Sequence, residues 1–276
     1  MKTPVSVASM WAAHARKWVA PLAVGLLAVA SPMMATGASA AAAKVAKPPR
    51  ANGHPDFTGV WNVFNAVTVS GRTAMSDPPM SKQGEATVNA FRSQYNLVGM
   101  EPNAYCVEPG MPTVMYGVGG QPMEIVQTPS RITLVSEVGM QLRRIFLDGR
   151  KPPEGYPTTR NGFSTAHWDG DTLVVETSLI DEWMMPRWAH TDKSRTVERF
   201  AFIRAADVKV PLGRNYIPGS LGDFVLVDQL TMYDPDIYET PPSVTVYYRH
   251  LRDDEFMEQN CPEGLWLDAM KKLKKQ

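Results

Sequence analysis

From Phe57 onward, apolar and polar residues alternate along the chain far more than they recur at helical spacing. Nine segments carry this pattern: 57–64, 124–127, 131–137, 142–147, 163–168, 172–177, 196–204, 224–233 and 244–251. Turn-forming clusters separate most of them, among them Thr128-Pro129-Ser130, Asp148-Gly149-Arg150, Asp169-Gly170 and Asp234-Pro235-Asp236. Short strands punctuated in this way predict an all-β, mainly antiparallel sandwich or barrel. Helices are expected only at 81–95, where Ser81 precedes Glu85, and at 265–273. No βαβ rhythm, G-x-G-x-x-G, Walker loop or internal repeat is present.

The segment HWDGDTLVVET (residues 167–177) predicts a hairpin with Asp169-Gly170 as its two-residue loop. That register sets His167 opposite Thr172, Thr165 opposite Val174 and Phe163 opposite Glu176. One face then carries Phe163, Thr165, His167, Thr172, Val174 and Glu176; the other carries Ala166, Trp168, Leu173 and Val175. His167 and Glu176 fall about 13 Å apart at roughly 3.4 Å per residue, too far for a direct acid–base pair. His167 is a rim residue if the mixed face looks inward and a solvated one if the apolar face does.

Two linking segments are long for such a fold: 65–122, rich in Pro, Gly and Met, and 151–161. The stretch Trp183-Met184-Met185-Pro186-Arg187-Trp188 reads either as an apolar lid over a cavity mouth or as a surface strap over a minor cluster.

The N-terminus adds a compartment. Lys2, Arg16 and Lys17 precede an apolar run from Val19 to Ala30, and small residues end in Ala38-Ser39-Ala40. This is the form of a secretory signal, too short for a comfortable membrane span. The expected organisation is a signal peptide over 1–40, a loose leader over 41–52, a β-barrel domain over 53–264 and a basic helical tail over 265–276. The mature chain is then periplasmic or secreted. Cys106 and Cys261, the only cysteines, form a disulfide in an oxidising compartment, or else remain two buried thiols. A disulfide across so long a loop restrains the unfolded chain by about 4–5 kcal/mol in the chain-entropy account. The 276 residues balance 28 basic against 28 acidic side chains, which argues against a nucleic-acid partner.

Pro55-Asp56-Phe57-Thr58-Gly59-Val60-Trp61 places a Gly-x-Trp at the start of the first strand. This resembles the opening of lipocalin-type barrels, in which the Trp packs across the closed end. Further elements follow in order: Cys106 with Pro109-Gly110-Met111-Pro112, Leu147-Asp148-Gly149-Arg150, Trp168 to Val175, Val197-Glu198-Arg199-Phe200, Asp234-Pro235 and Cys261. As a set they resemble a family of exported bacterial lipocalin-like proteins, over residues 55–261. The resemblance implies a calycin-type barrel and a small apolar ligand, and it supplies no catalytic residue.

Polar residues on otherwise apolar strand faces are the remaining candidates. Asp228 lies among Phe224, Leu226, Leu230 and Met232; Arg144 lies between Leu142 and Phe146; Glu198 shares a face with Phe200 and Phe202. His250 shares one with Val244, Val246 and Tyr248. A buried carboxylate must be paired, protonated or functional. One reading is therefore an Asp228–Arg144 or Glu198–Arg pair that merely closes the barrel. The other is a cofactor-independent lyase, decarboxylase or isomerase acting on a small aromatic or apolar acid. In that case Arg144 engages the substrate carboxylate, Asp228, Glu198 or His167 moves the proton, and Tyr248 is a possible donor. Trp183, Trp188, His190 and His250 complete the ligand-contact candidates. Ser164 lacks the G-x-S-x-G elbow of a nucleophilic serine. No metal is expected, since the histidines lack ligand spacing. A carrier or sensor of apolar small molecules, using the same cavity without turnover, is the alternative; a cell-envelope interaction module would need an exposed apolar patch.

Overall fold

Each of the nine alternating segments folds as a strand. In the computed structural model, which describes residues 47–68, 74–95, 107, 110–116, 122–210, 219 and 221–259, the chain opens with a short ribbon, β1 (Arg50–Ala51) and β2 (His54–Pro55). The larger strands follow: β3 (Gly59–Thr68), β4 (Met123–Gln127), β5 (Arg131–Ser136), β6 (Gln141–Phe146), β7 (Phe163–Asp169), β8 (Thr172–Ser178), β9 (Arg195–Arg204), β10 (Phe224–Tyr233) and β11 (Ser243–Leu251). Each pairs with its sequence neighbour, and β11 returns to β3, closing a nine-stranded barrel. Closure in chain order is the lipocalin-like architecture, and it leaves no free sheet edge. The expected signal segment, Cys106, Cys261 and the helix at 265–273 lie outside the described residues.

The β7–β8 hairpin differs from the expected register. Asp169 pairs with Thr172, so the loop is Gly170-Asp171, and Thr165 meets Glu176. The loop puts its positive φ, +61°, at its first position, where only glycine is comfortable; Asp169-Gly170 would have placed aspartate there. Because the shift is two residues on the partner strand, the faces survive. Leu173 and Val175 are buried and Ala166 and Trp168 pack on the core, so the apolar face looks inward.

One end of the barrel is filled with rings. Trp61 donates its indole N–H to the Phe57 carbonyl at 2.8 Å. The Phe57 ring lies 5.7 Å from Trp168 and 5.0 Å from Phe202. The Gly-x-Trp of the sequence thus closes this end.

Helices and loop cover the other end. α1 (Lys82–Arg92) starts one residue after Ser81, whose hydroxyl accepts the Gly84 N–H at 2.9 Å. α2 (Thr113–Tyr116) contributes buried Val114, Met115 and Tyr116. The Trp183–Trp188 stretch joins the main core: Trp188 is fully buried and donates to the Ala74 carbonyl at 3.0 Å. Arg92 holds it down through the Met184 and Met185 carbonyls, both at 2.8 Å, while pairing with Asp77. The stretch is a stitched plug over the barrel end rather than a strap over a minor cluster.

Candidate functional site

Five consecutive strands contribute polar side chains to a common belt in the interior. Arg143 of β6 donates to the Ser164 hydroxyl of β7 (3.1 Å), the Thr177 hydroxyl of β8 (2.8 Å) and the Glu198 carboxylate of β9, the last through both terminal nitrogens. Ser164 and Thr177 are register partners whose hydroxyls lie 2.9 Å apart. Arg143 also reaches the Met115 sulfur, at 3.2 Å. The ion pair is sealed: Arg143 is 3% exposed and Glu198 0%. A two-toothed guanidinium–carboxylate contact with added hydroxyl partners is the geometry in which a buried pair offsets its own desolvation.

The fifth residue, Asp228 of β10, pairs in register with Phe200, which sets Glu198 one diagonal step away on the same inner face. Asp228 is fully buried, and neither of its carboxylate oxygens makes a hydrogen bond of ordinary geometry. Burial, then the neighbouring Glu198 charge, push its carboxyl well above the usual carboxylate range; Arg143 and the Arg199 backbone N–H counter this in lesser measure. The site therefore carries one cation, one carboxylate bound to it, and a second acid whose proton burial holds more tightly than usual. Tyr248 of β11 donates its hydroxyl to the Met115 carbonyl. Its own proton is held well above the tyrosine range by burial, then by Asp228 and Glu198.

The belt corrects the assignment of Arg144. Residues of β6 alternate with Gln141, Arg143 and Ile145 buried and Leu142 and Arg144 exposed, so Arg143 is the interior cation and Arg144 faces outward. The more apolar-looking face of β6 points away from the core because Leu142 and Phe146 line a groove outside the wall. His167 is exposed on the outer face. Glu176, opposite Thr165, stands one diagonal step from it, closer than the expected separation and equally outside. His250, also exposed, sets its ring edge-on against Trp61 at 4.9 Å, at the ring-filled end. Trp183, Trp188 and His190 belong to the plug. Trp183 exchanges backbone hydrogen bonds with His190, and the buried His190 ring donates to the Trp188 carbonyl at 2.6 Å. Burial lowers the affinity of that imidazole for a proton. None of these three belongs to the polar belt. Asp228, Glu198 and Tyr248 are the predicted site residues that the fold brings together. Ser164, weighed only as a nucleophile, and Thr177 were missed as members of the belt. Their signal was a small hydroxyl on the inner face of adjacent strands.

The wall beside the belt is thin. β6 and β7 run parallel and pair only through Ile145–Ser164 and Phe146–Thr165. Beyond those pairs the Leu142 carbonyl accepts from the Asn161 side-chain amide at 3.2 Å instead of from a strand. Among the described residues, no group of three or more His, Cys, Asp or Glu gathers as metal ligands would.

No family model matches the chain, and no curated protein does. Among solved structures, the fluorescent protein UnaG aligns at 15% identity over 71% of this chain and 97% of its own, with a TM-score of 0.30. A point mutant of UnaG gives 14%, 71%, 96% and 0.32. A secretary abundant heat soluble protein from Ramazzottius varieornatus aligns at 11% identity over 71% and 95%, with a TM-score of 0.28. The barrel stands on its own strand pairing.

Proposed function

We propose that the chain is a lipocalin-like small-molecule-binding protein, a carrier or sensor that holds an apolar ligand without converting it. The observation that carries this reading is the engagement of Arg143. Its guanidinium is matched to Glu198 and spread over Ser164, Thr177 and Met115, so it is not left to anchor a substrate carboxylate. With its cation matched and its hydroxyls engaged, the Arg143–Ser164–Thr177–Glu198 part of the belt serves as a binding wall that tolerates an apolar guest beside it. The thin β6–β7 seam is the proposed way in.

Asp228 favours a second reading. A buried acid with a raised pKa among apolar side chains is the equipment of a cofactor-independent lyase or isomerase. In that case Asp228→Asn and Glu198→Gln reduce turnover far more than affinity.

As part of the same proposal, residues 1–40 direct export, the mature chain works in the periplasm or outside the cell, and Cys106 joins Cys261. The binding reading is tested with phenylnaphthylamine, a neutral fluorescent apolar dye, titrated into the mature protein. Saturable binding of one dye, displaced by apolar small molecules that are recovered unchanged, supports it. Recovery of altered molecules overturns it in favour of catalysis.

A further inference from the structure

Outside the wall, where β6 and β7 part, lies a groove of about 530 Å³, within the range of small-molecule sites. Five of its lining side chains are cationic, Arg143, Arg144, Arg150, Lys151 and Arg160, and none is acidic. Two of the five are matched, Arg143 by Glu198 and Arg150 by Asp148. Arg144, Lys151 and Arg160 have no ion-pair partner among the described residues. Glu154 sits in the same loop but does not line the groove. In a chain of zero net charge, three uncompensated cations around one concavity make a local positive field.

The remaining lining includes three aromatic side chains. The Phe163 ring stacks on Phe146 with centroids 5.2 Å apart and meets Tyr156 edge-on at 5.2 Å. The Arg150 guanidinium covers Phe146 at 4.3 Å, and Tyr156 and Leu142 are 37% and 46% exposed. Asn161, also in the lining, has a buried Oδ1 with no hydrogen-bond partner, although its amide N–H₂ is bonded to Leu142. An orphan acceptor of this kind is costly until a donor arrives.

We propose that this groove is a binding site for an aromatic anion, separate from the barrel interior. A ligand ring packs on the exposed Tyr156 and Leu142 side chains, and Arg144 and Arg160 hold the anionic group. Arginine suits this task because its planar fork binds an oxyanion and stacks on rings.

The probe is anilinonaphthalene sulfonate, which has two ring systems, a sulfonate and one N–H. The variant is Arg144→Gln with Arg160→Gln, neither residue being part of the buried belt, with near-UV circular dichroism confirming the native fold. The expected result is one saturable site on the wild type, weakened by added salt and at least about tenfold weaker in the variant. Absence of saturable binding to the wild type, or affinity unchanged in the folded variant, overturns the proposal. Should the double variant not fold, Arg144→Gln alone is read in the same way, because that side chain is exposed. Phenylnaphthylamine, which lacks the sulfonate, reports on the interior reading independently. Its failure to bind counts against the proposed carrier and leaves the groove result standing.

Discussion

Arg143 on β6 grips Glu198 on β9 across two intervening strands, and each of those strands lends a hydroxyl to the same guanidinium. The cation thereby ties four strands together at the seam where parallel pairing is thinnest.

Removing one partner leaves the other charged and buried. Glu198→Gln and Arg143→Met should each lower stability by about 3–5 kcal/mol. Arg143→Met combined with Glu198→Leu removes both charges together, and it should lie far closer to the wild type than the sum of the single changes. Urea denaturation of the four proteins checks this; strict additivity would show that the two residues act separately.

Asp228 sets a pH dependence of defined sign. Its folded-state pKa is raised, so the folded protein binds that proton more tightly than the unfolded chain does. The stabilising contribution is complete below the unfolded aspartate value, about 3.9, and is lost as pH rises toward the folded value. Asp228→Asn should match the wild type near pH ~4 and exceed it increasingly toward neutral pH. Melting temperatures across that range decide the point, and a gap that widens in acid refutes it.

Gly84 lies inside α1, where alanine ordinarily gains about 1 kcal/mol. Here a Cβ would overlap the Ile237 backbone carbonyl, which cannot swing aside as a side chain could. Gly84→Ala should therefore destabilise the protein by about 1–3 kcal/mol, the usual cost of overpacking. Chemical denaturation gives the sign directly.

The plug makes a parallel case. Trp188 is fully buried against Tyr116, with centroids 5.7 Å apart. Trp188→Ala should cost about 3–5 kcal/mol. A loss under about 1 kcal/mol would mean that the stretch is a loose cover.

Alternation made the strands legible: β10 spans the expected residues, and most other ends move by one residue or two. β3 runs on to Thr68 because its last residues pair with the start of β11, a long-range event invisible to local pattern. Ser81 was legible as a cap because its chemistry is local. Facing was harder. Asp228 and Glu198 stood on faces that the core claims, and they were found. The more apolar face of β6 carries Leu142 and Phe146 yet looks outward, where a groove takes up both side chains, so the choice of face was reversed. The four-residue helix Thr113–Tyr116, whose Met115 touches both Arg143 and Tyr248, has no periodicity to announce it.

The most direct test is a long incubation of the mature protein with a twofold excess of a mixed panel of aromatic and aliphatic acids and neutral apolar molecules. Mass spectrometry follows both the bound and the free fractions. Bound molecules should leave unchanged, with no product in excess over protein, and Asp228→Asn should retain them equally well. Product accumulating beyond one equivalent in the wild type, and vanishing in Asp228→Asn, would contradict it.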